Sequence, residues 1–275
     1  MYLAAVERKS MALPADQFPW SLPLFAHLNK LEFHEPVTFL VGENGSGKST
    51  LLEGLAVGVR AIAAGSEDLA RDETLWAAHE FARAFRFIRR RHPKRTMFMR
   101  AEDVLGFTLT AARQRKEAGI ARAGGLKALE TARAVEEQEE AADIAKPTMD
   151  QAAARLQRRL QRKYGSDPAG RSHGETFLEV LQERLRPSGL YFLDEPETPL
   201  SPTRVLALLA LIVERVASNC QFVIATHSPI LMAVPNAEIL LLEDGVIKPV
   251  AYEDVEHVVV TRAFLKDPAK FLWRL

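Results

Sequence analysis

Apolar positions fall into two kinds of pattern along the chain. Short continuous runs occur at Val37–Val41, Leu190–Leu193, Phe222–Ala225 and Ile239–Leu242. Runs of this length bounded by turn residues predict strands buried on both faces of a parallel sheet. Leu51, Leu52, Leu55, Val59 and Ile62 instead recur at helical spacing and predict a helix from Ser49 to about Ala64. A second helix is predicted over about Thr203–Ala217, and Thr96–Met99 is a further short strand. The first 36 residues mix short apolar runs with Pro14, Pro19, Pro23 and Pro36 and read as irregular chain and short strands. Residues from about Val104 to Tyr164 are rich in Ala, Glu, Arg and Gln and read as helices broken near Gly124-Gly125 and Pro147. Strand–helix alternation on both sides of a helical insert predicts an α/β core.

Three strand ends carry chemistry. Gly42-Glu-Asn-Gly-Ser-Gly-Lys48-Ser49-Thr50 follows the first strand and opens the helix, in the pattern G-x-x-x-x-G-K-[ST]. Its glycines let backbone N–H groups of the Asn44–Gly47 turn wrap phosphate oxygens, and the helix directs its positive dipole end at the same anion. Lys48 is placed to reach the β- and γ-phosphates and Ser49 to ligate Mg²⁺; a chance glycine turn before a helix is the bland alternative. Tyr191-Phe-Leu-Asp194-Glu195-Pro196 ends a second strand in two carboxylates at the ligand-binding edge of a parallel sheet. Asp194 suits a magnesium ion and Glu195 the polarisation of an attacking water. Phe222-Val-Ile-Ala-Thr226-His227-Ser-Pro229 ends a third strand in an imidazole able to steady that water. Ser172-His173-Gly174-Glu175, just before a helical run at Thr176–Leu185, is either a second anion site or a serine cap.

Composition narrows the class. The chain has 275 residues, 47% hydrophobic and 26% charged, an ordinary globular balance. Formal net charge is zero, so only local clustering speaks to an anionic partner. The single cysteine, Cys220, is expected in a reducing cytoplasm, and neither a secretory leader nor a membrane-length apolar run is read. Phe81–Arg100 contains eight basic residues, Arg83 to Arg100, without an acid between them. That run points to nucleic acid, or else to a solvated basic helix face balanced by the acidic run Glu136–Glu140.

Taken together, VGENGSGKST (Val41–Thr50), SHGETFL (Ser172–Leu178), DEPETPLS (Asp194–Ser201) and ATHSP (Ala225–Pro229) resemble the ATP-binding-cassette (ABC) ATPases. With Arg100-Ala-Glu102 and the late run Val255–Leu265, the chain is most similar to small soluble AAA-family ATPases related to structural-maintenance (SMC) and RecF-type cassettes. The similarity extends through most of the chain and is weakest over Ala111–Tyr164. It implies a P-loop NTPase with a mainly parallel core sheet, an N-terminal antiparallel β region and an inserted helical subdomain. The implied divisions are 1–103 for the first part of the core, 104–186 for the helical subdomain and 187–275 for the rest. It further implies ATP and Mg²⁺ as ligands and an ATP-dependent homodimer. Ser172 and Gly174 of one subunit would then contact the γ-phosphate held by Lys48 of the other. Phosphate-loop contacts would come from Gly42, Asn44, Gly45, Ser46, Gly47, Lys48, Ser49 and Thr50. Glu195, His227 and Lys48 would act in hydrolysis.

The sequence also departs from transport cassettes. Their signature reads Leu-Ser-Gly-Gly-Gln, whereas this chain has Ser-His-Gly-Glu. Their magnesium-binding glutamine has no counterpart between Gln17 and Gln114, which makes Glu102 the substitute metal ligand beside Ser49 and Asp194. Their dimer-loop aspartate is Ser201 here. A transporter's ATP-binding subunit, with a membrane permease as partner, and an ATP-switched DNA-binding repair or defence module are the alternative readings. Phe18, Trp20 and Phe33 are candidates for stacking on adenine, or for the core.

Overall fold

A computed structural model describes residues 1–63, 69, 72–101 and 173–273. Its centre is a seven-stranded sheet in the order β10-β9-β3-β8-β7-β6-β4. The strands are β3 (Val37–Val41), β4 (Ile62–Ala63), β6 (Arg95–Arg100), β7 (Gly189–Asp194), β8 (Gln221–Ala225), β9 (Glu238–Glu243) and β10 (Val246–Pro249). All neighbours pair parallel except β9 and β10. A three-stranded antiparallel sheet, β2-β1-β5, is built from β1 (Leu3–Arg8), β2 (Lys30–Glu32) and β5 (Phe85–Arg89).

The apolar runs become central strands because side chains alternate between two cores. Leu40, Leu190, Phe192 and Val223 face one layer, with α1 (Pro23–His27), α2 (Lys48–Gly58), α3 (Trp76–Ala84) and the antiparallel sheet. Phe39, Val41, Tyr191, Leu193, Phe222 and Ile224 face the other. That second layer holds α4 (His173–Arg184), α5 (Pro202–Ala217) and α6 (Glu256–Lys266), followed by the short α7 (Ala269–Leu272). Phe177 and Leu181 of α4, and Leu185 just past its end, recur every fourth residue onto this core.

Several expected boundaries move. The helix after the phosphate loop stops at Gly58, and Ile62 lies on β4, paired in parallel with Met97. Arg60 adopts φ 59°, its N–H reaching Val57 O while Ala61 N–H reaches Ala56 O. This pair of bonds ends the helix in a Schellman turn, which helical apolar spacing alone does not reveal. Pro23 opens a one-turn helix in a region read as irregular chain and short strands, since its fixed φ suits a first helical turn. The run Phe81–Arg100 is no single helix face: it crosses the end of α3, all of β5 and β6 and the turn between them. The helical stretch expected over 104–164 lies outside the described residues, as does the acidic run Glu136–Glu140.

Candidate functional site

Parallel pairing of β3, β8 and β7 brings the three chemical strand ends side by side, with Leu40 opposite Ala225 and Asp194 opposite Ala225. Each loop leaves the carboxyl edge of the sheet, where side chains from different strands can meet around one ligand.

The phosphate loop follows β3. At Gly42 any Cβ would lie 2.4 Å from the carbonyl oxygen of Leu242, so the chain passes β9 too closely for a side chain. Gly47 begins α2 from the left-handed region at φ 94°. Lys48 is buried at 6% exposure and donates to the carbonyls of Gly42 and Glu43, both at 2.8 Å. Its ammonium thus closes the loop on itself. Burial lowers the Lys48 pKa, opposed by the nearby charges of Glu195 and Asp194. Among the described residues no backbone carbonyl accepts from the N–H of Gly45, Gly47, Lys48 or Ser49. The buried Ser46 hydroxyl also has no partner there. These donors form an anion-binding cradle at a helix N-terminus.

Asp194 closes β7 at 8% exposure and accepts from the Ser49 hydroxyl at 3.2 Å. Burial raises its pKa to about 6, partly offset by the Ser49 hydrogen bond. A desolvated carboxylate beside a hydroxyl suits a hard divalent cation, so this pair fits magnesium. Glu195 turns the chain at φ 45° and anchors it by donating its N–H to Ala225 O at 2.9 Å. Its half-exposed carboxylate reaches to 3.7 Å from His227 Nε2. Beside the pair, Arg100 at the end of β6 forms an ion pair with Glu53 of α2, and both charges act on Asp194.

Beyond β8, Thr226 and His227 are held by Glu197. One oxygen of Glu197 accepts from the Thr226 hydroxyl at 2.5 Å and from the His227 N–H at 2.9 Å. His227 Nδ1 lies 3.0 Å from Nε2 of His257 on α6, whereas its own Nε2 is buried with no hydrogen-bond partner among the described residues. Burial first, then Lys48 and His257, lower the His227 pKa; Glu195 raises it. The imidazole is therefore neutral near pH 7.

The structure brings Lys48, Ser49, Asp194, Glu195 and His227 together, with Gly42, Asn44, Gly45, Ser46, Gly47 and Thr50 in the loop or first turn beside them. Ser172 and Glu102 lie outside the described residues. Gly174 falls inside the first turn of α4, which starts at His173, three residues earlier than expected. Trp20 and Phe33 belong to the core at 3% and 1% exposure, whereas Phe18 is exposed and packs edge-on against Trp76. Glu197, His257 and the Glu53–Arg100 pair were not found by sequence reasoning. The third acid of Asp-Glu-Pro-Glu was a signal for Glu197; His257 is 30 residues from its partner and had none.

Two AAA-domain families match the chain on either side of the undescribed middle. Residues 24–85, including the phosphate loop, match one described as "AAA domain". Residues 177–233, including Asp194, Glu195 and His227, match one described as "AAA domain, putative AbiEii toxin, Type IV TA system". No curated protein matches the chain. Similar solved structures include an ATP-binding cassette of an ABC transporter in its ADP conformation (16% identity, 97% of this chain and 98% of that one, TM-score 0.45). Another is the SMC head domain from Thermotoga maritima (20% identity, 91% and 100%, TM-score 0.41).

Proposed function

We propose that this chain, an AAA-type P-loop ATPase by the two family segments that enclose its site, binds ATP with Mg²⁺, hydrolyses it, and couples the cycle to dimerisation. The observation that carries this reading is the convergence of Lys48, Ser49, Asp194, Glu195 and His227 beside a cradle of unpartnered donors. Lys48 exchanges two loop carbonyls for phosphate oxygens, and the backbone donors with Ser46 hold the remaining oxygens. Ser49 and Asp194 would hold a magnesium ion, with Glu102 as a further ligand, and the ion would supply charge neutralisation at the terminal phosphates. Glu195 accepts the proton of the attacking water as the oxygen bonds to the γ-phosphorus and ADP departs. His227 donates from Nε2 to the γ-phosphate region.

Ser172 and Gly174 supply the second phosphate surface from a partner copy. Glu195→Gln tests both halves. The amide keeps the shape and can hydrogen-bond the water, yet it cannot take its proton. ATP hydrolysis should be lost while Mg-ATP still binds, and sedimentation should show a persistent dimer that Ser172→Arg returns to monomer. A variant that stays monomeric at saturating ATP sinks the sandwich, and full turnover in Glu195→Gln sinks the catalytic assignment.

A second reading adds nucleic acid as the clamped partner. Arg86, Arg89, Arg90, Arg91, Lys94 and Arg95 are exposed and make no ion pair among the described residues, and Arg60 acts electrostatically on Arg89. Such a cluster on a neutral chain favours a polyanion. Duplex binding should weaken steeply with salt, and charge-reversing Arg90 and Arg91 should abolish it. Binding indifferent to both would remove this reading.

A further inference from the structure

We propose that His257 is a positioning residue that fixes His227 as the tautomer carrying its proton on Nε2. The two rings face each other with Nδ1 of His227 3.0 Å from Nε2 of His257 and ring planes inclined at 58°. Two imidazole nitrogens at that distance share one proton, so one ring donates and the other accepts. If His227 donated, its own Nε2 would present a lone pair to the Glu195 carboxylate 3.7 Å away. Acceptor would face acceptor, and a bound γ-phosphate would add a third. If His257 donates, His227 Nε2 bears the hydrogen and points it towards those same acceptors.

Two further observations favour the second arrangement. His227 Nε2 is buried and unpartnered among the described residues, as expected of a donor held for a ligand that arrives later. Burial and the Lys48 ammonium keep the His227 ring neutral, so it carries one proton, and the position of that proton decides what the ring can do. The charged or titratable groups around it are Lys48 from α2, Glu195 after β7 and His257 from α6, while Glu197 grips its backbone. His257 is itself held in place. Val255 and Val258 on either side are 2% exposed, and the Tyr252 hydroxyl donates to Pro229 O, tying the short turn that leads into α6 to the loop after His227.

The role of this tautomer in hydrolysis rests on the proposed ATPase activity, but the tautomer does not. Nitrogen-15 NMR of histidine-labelled, nucleotide-free protein reads the proton's position directly. The proton should sit on Nε2 of His227, and in His257→Leu the signal should move towards a mixture of tautomers. A glutamine amide reaches as far as the imidazole Nε2, so His257→Gln should restore the wild-type signal; His257→Asn is too short to do so. Turnover should follow the same order. It should fall roughly tenfold to a hundredfold in His257→Leu at unchanged KM and recover in His257→Gln, a smaller loss than the ~10⁴ of a triad histidine in the wrong tautomer. A wild-type proton on Nδ1 of His227, or a tautomer unaffected by His257→Leu in a variant that melts normally, overturns the inference. An Nε2 proton in a protein without ATPase activity would support the tautomer assignment and overturn the hydrolytic reading instead.

Discussion

A buried carboxylate without a cation is a cost, and Asp194 bears one. Its pKa, raised by burial to about 6 from 3.8, means that the folded, ligand-free protein takes up a proton more readily than the unfolded chain. Folding is therefore disfavoured by up to about 3 kcal/mol above pH 6, a penalty that fades as pH falls towards 4. Asp194→Asn removes the charge and keeps the Ser49 contact. It should raise the melting temperature of the ligand-free protein at pH 8, with little change at pH 4, while abolishing the extra stabilisation that magnesium gives to bound ATP. A melting temperature lowered equally at both pH values would contradict this account. The acid was legible in the sequence because it ends an apolar run; its energetic state was not, since that depends on how completely the surrounding elements exclude water.

At the scale of elements, the loop after β8 owes its shape to the loop after β7. Glu197 gathers the Thr226 hydroxyl and the His227 N–H on one oxygen, and Ser228 N–H closes back onto the Thr226 hydroxyl at 3.0 Å. Glu197→Ala leaves two donors at a largely buried turn without an acceptor, at a cost of about 1–3 kcal/mol. The variant should melt several degrees lower, and its turnover should fall because His227 is no longer held. Retention of both would show that β8 fixes the loop by itself. Helix ends were less legible than strands for a related reason. The helix after the phosphate loop stops at Gly58 and is turned off by Arg60, a left-handed residue that is not glycine, so the sequence carries no glycine stop signal at that position.

Across the whole molecule, the N-terminus is fastened to the start of β8 by the Gln221 side chain and by the Tyr2 hydroxyl, which donates to Asn219 O. Buried Gln221 accepts from the N–H groups of Tyr2 and Leu3 and donates to Leu3 O. A glutamine at the start of an apolar strand gives no hint of this, because its partners lie more than 200 residues away. By itself the sequence determined what depends on neighbours in the chain: the four apolar central strands, the phosphate loop between strand and helix, and the acids and histidine at strand ends. Alternation, glycine placement and apolar period are local properties, and they need no partner to be read. Only the tertiary structure decided the strand order, the Gln221 clasp, the Glu53–Arg100 pair beside Asp194 and the contact of His257 with His227. Each joins residues distant in the chain, and their meeting follows from which faces must be buried together, a condition satisfied by the folded molecule as a whole.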